Sequence, residues 1–350
     1  MADDAPLQAL MLPFATGALA WPADGALFLG ARDGWPLRER PRPGLVVEQA
    51  SRPLADALQA TGHAFDRDDA RRFPLVLLLP PRQREAMRAW FARAFDRCSP
   101  EGVVVASVAN DSGAKSAEAD LRRLAGGLEG SLSKHHCRAF WARPATGSID
   151  AALQAQWRVL DAPRRIEATD LPGGGFLSRP GVFAWDRIDP ASALLAAHLP
   201  PDLAGHGADL GAGWGYLSLQ VLARCPGVRA LDLFEADAHA LALAKANLAE
   251  IPRARGVGLD VLWHDVTAGL PRRYDFIVSN PPFHAHDRSD RPELGRRFIE
   301  VAAQALRPGG RLLLVANRHL PYESALDAQF ASVRVLAQAH GFKAIAAVRA

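Results

Sequence analysis

Short apolar runs alternate with amphipathic stretches along most of the chain, the pattern of a layered α/β protein. In the first half, Ala26–Gly30, Leu45–Glu48, Phe73–Leu79, Val103–Val108 and Ala139–Ala142 read as strands, with Pro53–Gln59 and Ala117–Leu128 as helices among them. Arg82–Arg97 places Met87, Trp90, Phe91, Ala94 and Phe95 at helical spacing, with Arg84 and Arg88 an i,i+4 pair away from that stripe. In the second half, Val228–Phe234, Val257–Trp263, Tyr274–Val278 and Arg311–Ala316 read as strands, as does the apolar approach to Asp209. Leu217–Leu222, Pro190–Leu199 and Arg296–Leu306 read as helices, Trp157–Ala168 as an extended segment, and Pro308–Gly310 as a turn. His340-Gly341 splits Val333–Gln338 from Phe342–Val348, which marks a hairpin. The expected fold is α/β: a carboxy-terminal, doubly wound, mostly parallel seven-stranded sheet, five strands parallel with a hairpin at one edge, preceded by a second α/β domain. The polar, turn-rich Pro144–Ser148 sets the expected boundary, giving domains 1–146 and 147–350.

Four loops after predicted strands carry the candidate chemistry. Asp209-Leu210-Gly211-Ala212-Gly213-Trp214-Gly215 reads as strand, tight turn, helix, with glycines where a backbone must pass close to a ligand. Bulky Tyr216 stands where a dinucleotide fingerprint wants a small residue, which disfavours nicotinamide chemistry. Glu235 ends the next strand and can accept from both hydroxyls of a ribose, while Asp237 is the better helix cap. Asp265 follows the third strand and can accept from an adenine amino group or satisfy local donors. After the fourth comes Ser279-Asn280-Pro281-Pro282-Phe283, in which the Asn280 side-chain oxygen and the Pro281 carbonyl can hold a planar amino group by both N–H bonds. Two prolines stiffen that loop and Phe283 can stack on a base. In a parallel sheet all four loops fall at one edge, where ligands of such sheets bind.

The glycine turn, Glu235 and Asn280–Phe283 together resemble the class I S-adenosylmethionine-dependent methyltransferases. Pro180-Gly181-Val182-Phe183, Asn280–His284, Val315-Ala316-Asn317 and Leu320-Pro321-Tyr322 more narrowly resemble the ribosomal RNA guanine-N2 methyltransferases, the small-subunit methyltransferase C and large-subunit methyltransferase G enzymes. That likeness runs from about Gly175 to the end. A fainter one covers Phe73–Trp141, through Ser112-Gly113, Lys115–Glu118 and Cys137-Arg138. The resemblance implies S-adenosylmethionine as cofactor, held by Asp209, Gly211, Gly213, Glu235 and Asp265. It implies Asn280, Pro281, Pro282 and Phe283 at the target base, and ribosomal RNA or a ribosomal subunit as substrate. It also implies that the first half is a degenerate methyltransferase-like domain with an RNA-binding or stabilising role. The first strand indeed runs into Ala31-Arg32-Asp33-Gly34 without alternating glycines, and no Asn-Pro-Pro-aromatic precedes Asn280. Two departures stand out: the highly charged His286–Arg291, and Trp214 in place of a smaller residue.

At 350 residues with 49% hydrophobic content, the chain can bury two cores. Phe73–Pro81 is too short to span a membrane, and Met1–Asp4 lacks the features of an export signal, so a cytoplasmic location without membrane contact is expected. Cys98, Cys137 and Cys225 have no paired spacing, and His135-His136-Cys137 is expected along a strand with its neighbours on opposite faces, so no metal site is expected. The net charge is only +3, yet lysines are confined to Lys115, Lys134, Lys245 and Lys343, so the positive charge is nearly all arginine. Arg71-Arg72, Arg84, Arg88, Arg122-Arg123 and Lys134 would make the first half a phosphate-binding platform. The expected activity is direct transfer of a methyl group to the exocyclic N2 of an extruded guanine in ribosomal RNA. Methylation of protein glutamine N5 or nucleic-acid adenine N6, and a non-catalytic donor-binding ribosome-assembly module, are the alternatives.

Overall fold

A computed structural model of the protein describes residues 4–144, 149–169, 171–250, 255–282, 292–319 and 322–350. Two units, Met1–Ala162 and Pro163–Ala350, repeat one topology. In the first, the strands are β1 (Ala26–Leu29), β2 (Leu45–Glu48), β3 (Ala64–Phe65), β4 (Phe73–Leu78), β5 (Cys98–Ala109), β6 (Gly130–Lys134) and β7 (Cys137–Ala142). They assemble in the order β3-β2-β1-β4-β5-β7-β6. Its helices are α1 (Ala5–Ala15), α2 (Trp35–Arg38), α3 (Arg52–Ala60), α4 (Arg84–Arg97), α5 (Ala114–Ala125) and α6 (Ala151–Arg158).

The second unit opens with a small pair, β8 (Arg164–Glu167) and β9 (Gly175–Ser178). Its main sheet holds β10 (Ala204–Leu210), β11 (Gly227–Glu235), β12 (Gly258–Trp263), β13 (Tyr274–Ser279), β14 (Leu306–Asn317), β15 (Ser332–Ala339) and β16 (Phe342–Val348). The order β12-β11-β10-β13-β14-β16-β15 is that of the first unit, strand for strand. β12 to β14 are parallel and the β15–β16 hairpin is antiparallel, as the sequence pattern predicts. Helices α7 (Pro190–Ala197), α8 (Tyr216–Arg224), α9 (Ala238–Asn247), α10 (Pro292–Ala305) and α11 (Glu323–Asp327) complete it. Alternation divides the core. Leu312, Leu314 and Ala316 of β14 join Leu210 and Ile277 on one face, while Leu313 and Val315 join Leu231, Leu233 and Val278 on the other. Burial on both faces is why these strands read as nearly unbroken apolar runs.

Four expectations are corrected. The units divide at residues 162–163 rather than 146–147, because α6 belongs to the first unit: Leu153 and Trp157 enter its core, and Gln154 and Arg158 both bond Asp96 of α4. The stretch 145–148 expected to hold the boundary lies outside the described residues. Trp157 and Arg158 are therefore helical, and the extended run shrinks to β8. The turn expected at Pro308–Gly310 is absorbed into β14, whose register on β13 shifts beside Tyr274. His135 and His136 do not lie along a strand. They form the tight turn between β6 and β7 with φ of 54° and 56°, the left-handed geometry that two-residue hairpin turns require.

The expected phosphate platform also loses members. Arg84 and Arg88 both clamp buried Asp120 of α5, at 2.9–3.1 Å, and hold its carboxyl below the usual range despite burial. Arg122 and Arg138 converge on Glu118, at 3.1 and 2.6 Å. Arg84 and Arg88 thus tie α4 to α5, and the family-like Lys115–Glu118 and Cys137-Arg138 stretches supply Glu118 and Arg138, which tie α5 to β7.

Candidate active site

The site is built where β10 and β13, the two central strands, end side by side. Leu210 pairs with Ser279, and the Ser279 hydroxyl donates to the Leu210 carbonyl at 2.7 Å, so the glycine turn and the Asn280 loop leave the sheet locked together. Gly211, Gly213 and Gly215 all take positive φ, at 74°, 57° and 96°, which accounts for glycine at alternate positions. A Cβ on Gly213 would meet nothing within 4 Å, because that residue faces open space. The amides of Gly211 and Ala212 donate to the Phe234 carbonyl, which leaves the turn draped against the end of β11.

Glu235 clamps this turn. One carboxylate oxygen accepts from the Gly213 amide at 2.7 Å and the other from the Asp237 amide at 2.8 Å. Each oxygen keeps a further lone pair for a ligand. Burial raises its affinity for a proton, and the Asp237, Gly213 and Ala236 amides act the other way. Asp237 caps α9, accepting from the His239 amide at 2.8 Å, as expected of it.

Asp209 lies beneath the turn rather than on the cleft wall. It is fully buried, one oxygen accepts from the Ser218 hydroxyl at 2.6 Å, and the other has no partner among the described residues. Burial chiefly, with the nearby Glu235 charge, pushes its carboxyl up to about 7, against the Ser218 bond. Asp265 opens a short 3-10 turn and spends one oxygen on the Thr267 amide and hydroxyl, at 2.9 and 2.7 Å. The other carboxylate oxygen of Asp265 makes no hydrogen bond among the described residues.

A cleft open to solvent lies over this edge. Its walls include Gly211 to Trp214, Asn280, Asp189, Ser192 and Phe183. Glu235 and Asp265 stand at the ends of the neighbouring strands, and neither side chain is on that wall. Pro281 is buried and Pro282 exposed. Phe283 and the charged stretch 286–291 lie outside the described residues. Pro180–Phe183 reaches the cleft through Phe183, which is 67% exposed there, and Ala184 beside it has φ of 48°.

Sequence reasoning missed Asp189 and Ser192. Asp189 caps α7, accepting from the Ser192 amide at 2.8 Å. The Asn280 side-chain amide donates to Asp189 Oδ2 at 2.9 Å and to Ser192 Oγ at 2.8 Å. The signal was present in Asp189-Pro190, an N-cap followed by proline at the first helical position. Trp214 is also explained. It stacks on Phe176 of β9, ring centroids 3.8 Å apart and planes within 7°, and Asn247 of α9 bonds both the Trp214 carbonyl and the Leu177 backbone. The large ring thus joins the turn to β9.

Residues 173–346 match the sequence model of the methyltransferase small domain. Over that stretch, nearly all of the second unit, the chain is similar to that family. Its relatives include the ribosomal RNA small subunit methyltransferase C of Psychromonas ingrahamii, 28% identical over 79% of this chain and 76% of that one. The protein of the same name from Pseudomonas aeruginosa is 38% identical over 62% of each chain. A third, from Pseudomonas paraeruginosa, is 39% identical, with the match spanning about half of both chains. In fold, the chain is similar to the T. thermophilus 16S rRNA N2 methyltransferase RsmC in complex with AdoMet and guanosine. That likeness has a TM-score of 0.80 and 24% identity, over 100% of this chain and 93% of that one. The methyltransferase resemblance and the two-unit α/β fold read from the sequence are borne out.

Strand register identifies the counterpart positions in the first unit. Leu29 pairs with Leu78 and Glu48 as Leu210 pairs with Ser279 and Phe234. The residues that follow are therefore equivalent: Gly30 to Gly211, Gln49 to Glu235, and Leu79-Pro80-Pro81 to Asn280-Pro281-Pro282. Gln49 keeps the local geometry of Glu235, accepting from the Ser51 amide at 2.8 Å, but its amide nitrogen donates to the Ala31 carbonyl. The crevice is also narrower. A Cβ on Gly30 would lie 2.5 Å from the Leu79 carbonyl oxygen, against 3.9 Å from Gly211 to that of Asn280.

Proposed function

We propose that the second unit binds S-adenosylmethionine and transfers its methyl group to the exocyclic N2 of a guanine in ribosomal RNA. The observation that carries this reading is the Asn280 amide. Its nitrogen is fully used by Asp189 and Ser192, so its oxygen is left as an acceptor on the cleft wall, beside the glycine turn. The names of the relatives support the substrate.

The residues present suit the donor. The open face at Gly213 admits a ligand against bare backbone, and Glu235 and Asp265 keep acceptor capacity for ribose hydroxyls and an adenine amino group. When bound, the donor supplies an electrophilic methyl group on a positively charged sulfur. Asn280 Oδ1, with the Pro281 carbonyl, accepts the two N–H bonds of the guanine amine and turns the nitrogen lone pair out of conjugation with the ring. With the donor held by the glycine turn, Glu235 and Asp265, the nitrogen presented by Asn280 would take up that methyl group, and the sulfur would keep the electron pair of its bond to carbon. The amine then loses its proton to water. No strong base is needed, because the nitrogen becomes acidic only once methylated.

Phe183 offers an exposed ring at the cleft, and Phe283 is assigned the base-stacking role. The first unit, lacking the carboxylate and the amide, is assigned an RNA-binding or stabilising role without a donor site. The test is methyl transfer from labelled donor to ribosomal RNA or subunits, followed by nucleoside analysis. N2-methylguanosine is expected. Label in glutamine, adenine or no acceptor at all overturns the assignment.

A further inference from the structure

We infer that Asp189 and Ser192 are positioning residues that decide which way round the Asn280 amide sits, and so aim its oxygen into the cleft. The inference rests on the acceptor role proposed for Asn280. A side-chain amide has two orientations related by a half-turn, nearly identical in shape and opposite in hydrogen bonding. Only the one with Oδ1 on the cleft wall can accept from an amine. The other would present N–H to N–H, leaving the substrate amine unheld.

The neighbours of Asn280 are not symmetric towards this choice. An ionised carboxylate only accepts. With Nδ2 facing Asp189 Oδ2 at 2.9 Å the contact is a charge-assisted hydrogen bond, whereas the flipped amide would set an oxygen against a carboxylate oxygen. Ser192 Oγ, at 2.8 Å, can accept or donate, so it supports the observed orientation without dictating it. Asp189 therefore carries the decision. The same Oδ2 also accepts from the Ser192 amide, so the first turn of α7 fixes both groups before substrate arrives.

Capping alone does not explain the pair, and the first unit supplies the comparison. Helix α1 precedes β1 as α7 precedes β10, and its N-cap is Asp4, which accepts from the Leu7 amide at 3.1 Å. The cap is kept there. The position three residues on is Leu7 instead of Ser192, and the position after β4 is Leu79 instead of Asn280, both buried. Asp4 instead pairs with Arg32, in the degenerate turn, at 3.3 Å. Where the amide is absent, the hydroxyl that steadies it is absent too, while the helix cap persists.

The test is a set of variants of the full chain, each assayed for kcat, for KM towards RNA and for donor affinity by calorimetry, with thermal melts alongside. Asp189→Ala is expected to lower kcat about tenfold or more with donor affinity unchanged, and Ser192→Ala to lower it several-fold, while Ser192→Thr retains activity. Asn280→Asp sets two carboxylates together and should be nearly inactive. The exchange D189N with N280D restores an N–H donor at 189 facing an acceptor at 280. It should recover about tenfold or more over N280D alone, which a helix-capping role would not produce. An exchanged protein no better than N280D, or a fully active Asp189→Ala beside an inactive Asn280→Ala, overturns the inference and leaves the methyl-transfer reading intact. An active Asn280→Ala overturns that reading itself.

Discussion

At the scale of single residues, the site depends on a few groups whose hydrogen bonds are already committed on one side and open on the other. Glu235 shows this most clearly. Replacing it by Gln keeps the shape, but one end becomes an N–H donor that cannot serve the Gly213 amide. In the first unit, Gln49 solves that conflict by turning its nitrogen to a carbonyl. Glu235→Gln is therefore expected to weaken donor binding by about 1–3 kcal/mol, read by calorimetry; unchanged affinity would remove Glu235 from the donor site. Asp209 gives a pH prediction. Its folded-state carboxyl is raised to about 7 by burial. The folded protein therefore holds a proton that the unfolded chain releases near pH 4, and stability is lost as pH rises from about 4 through about 7. Asp209→Asn should remove that slope, so its melting temperature should gain on the wild type between pH 5 and pH 8. A constant gap across that range would contradict the assignment.

At the scale of elements, most of the sheet was legible because strands buried on both faces write themselves as apolar runs, and glycine and proline mark where they end. Asn280-Pro281-Pro282 and the glycine turn were legible for the same reason. What the sequence concealed is long-range pairing. Arg84 and Arg88 lie off the apolar stripe of their helix and look free, yet their partner Asp120 is on another helix. Asp189 is far from Asn280 in sequence, and only the packing of α7 against β14 and β16 makes them neighbours. Trp157 looked extended because its run is short and its helix ends one residue later. Asn247 is another such hidden group. It fastens α9 to β9 and to the glycine turn by three hydrogen bonds to backbone. Asn247→Ala should cost about 2–3 kcal/mol, measured as a shift in the urea midpoint, since it also strands the Leu177 amide and carbonyl. A loss below about 0.5 kcal/mol would show that this tie carries little of the fold.

At the scale of the whole molecule, the chain is one topology written twice with one set of chemistry. Both sheets have the order in which the first and fourth strands end together, so both possess the edge where a ligand can bind. The first has filled it. Gln49, Leu79 and Leu7 stand where the second unit has Glu235, Asn280 and Ser192, and its crevice is closed by more than an ångström. Titration calorimetry is therefore expected to find one S-adenosylmethionine per chain, and two would contradict the degeneracy of the first unit. Among the described residues no helix is long and apolar enough to cross a membrane. The proposed activity rests on a held amide oxygen at the end of β13 that presents a guanine amine for methylation. Its most direct test is single-turnover transfer of labelled methyl to ribosomal RNA by the wild type and by Asn280→Ala. The wild type should yield N2-methylguanosine, and the variant should be slower by about a hundredfold or more at unchanged donor affinity; equal rates, or label in another product, would contradict it.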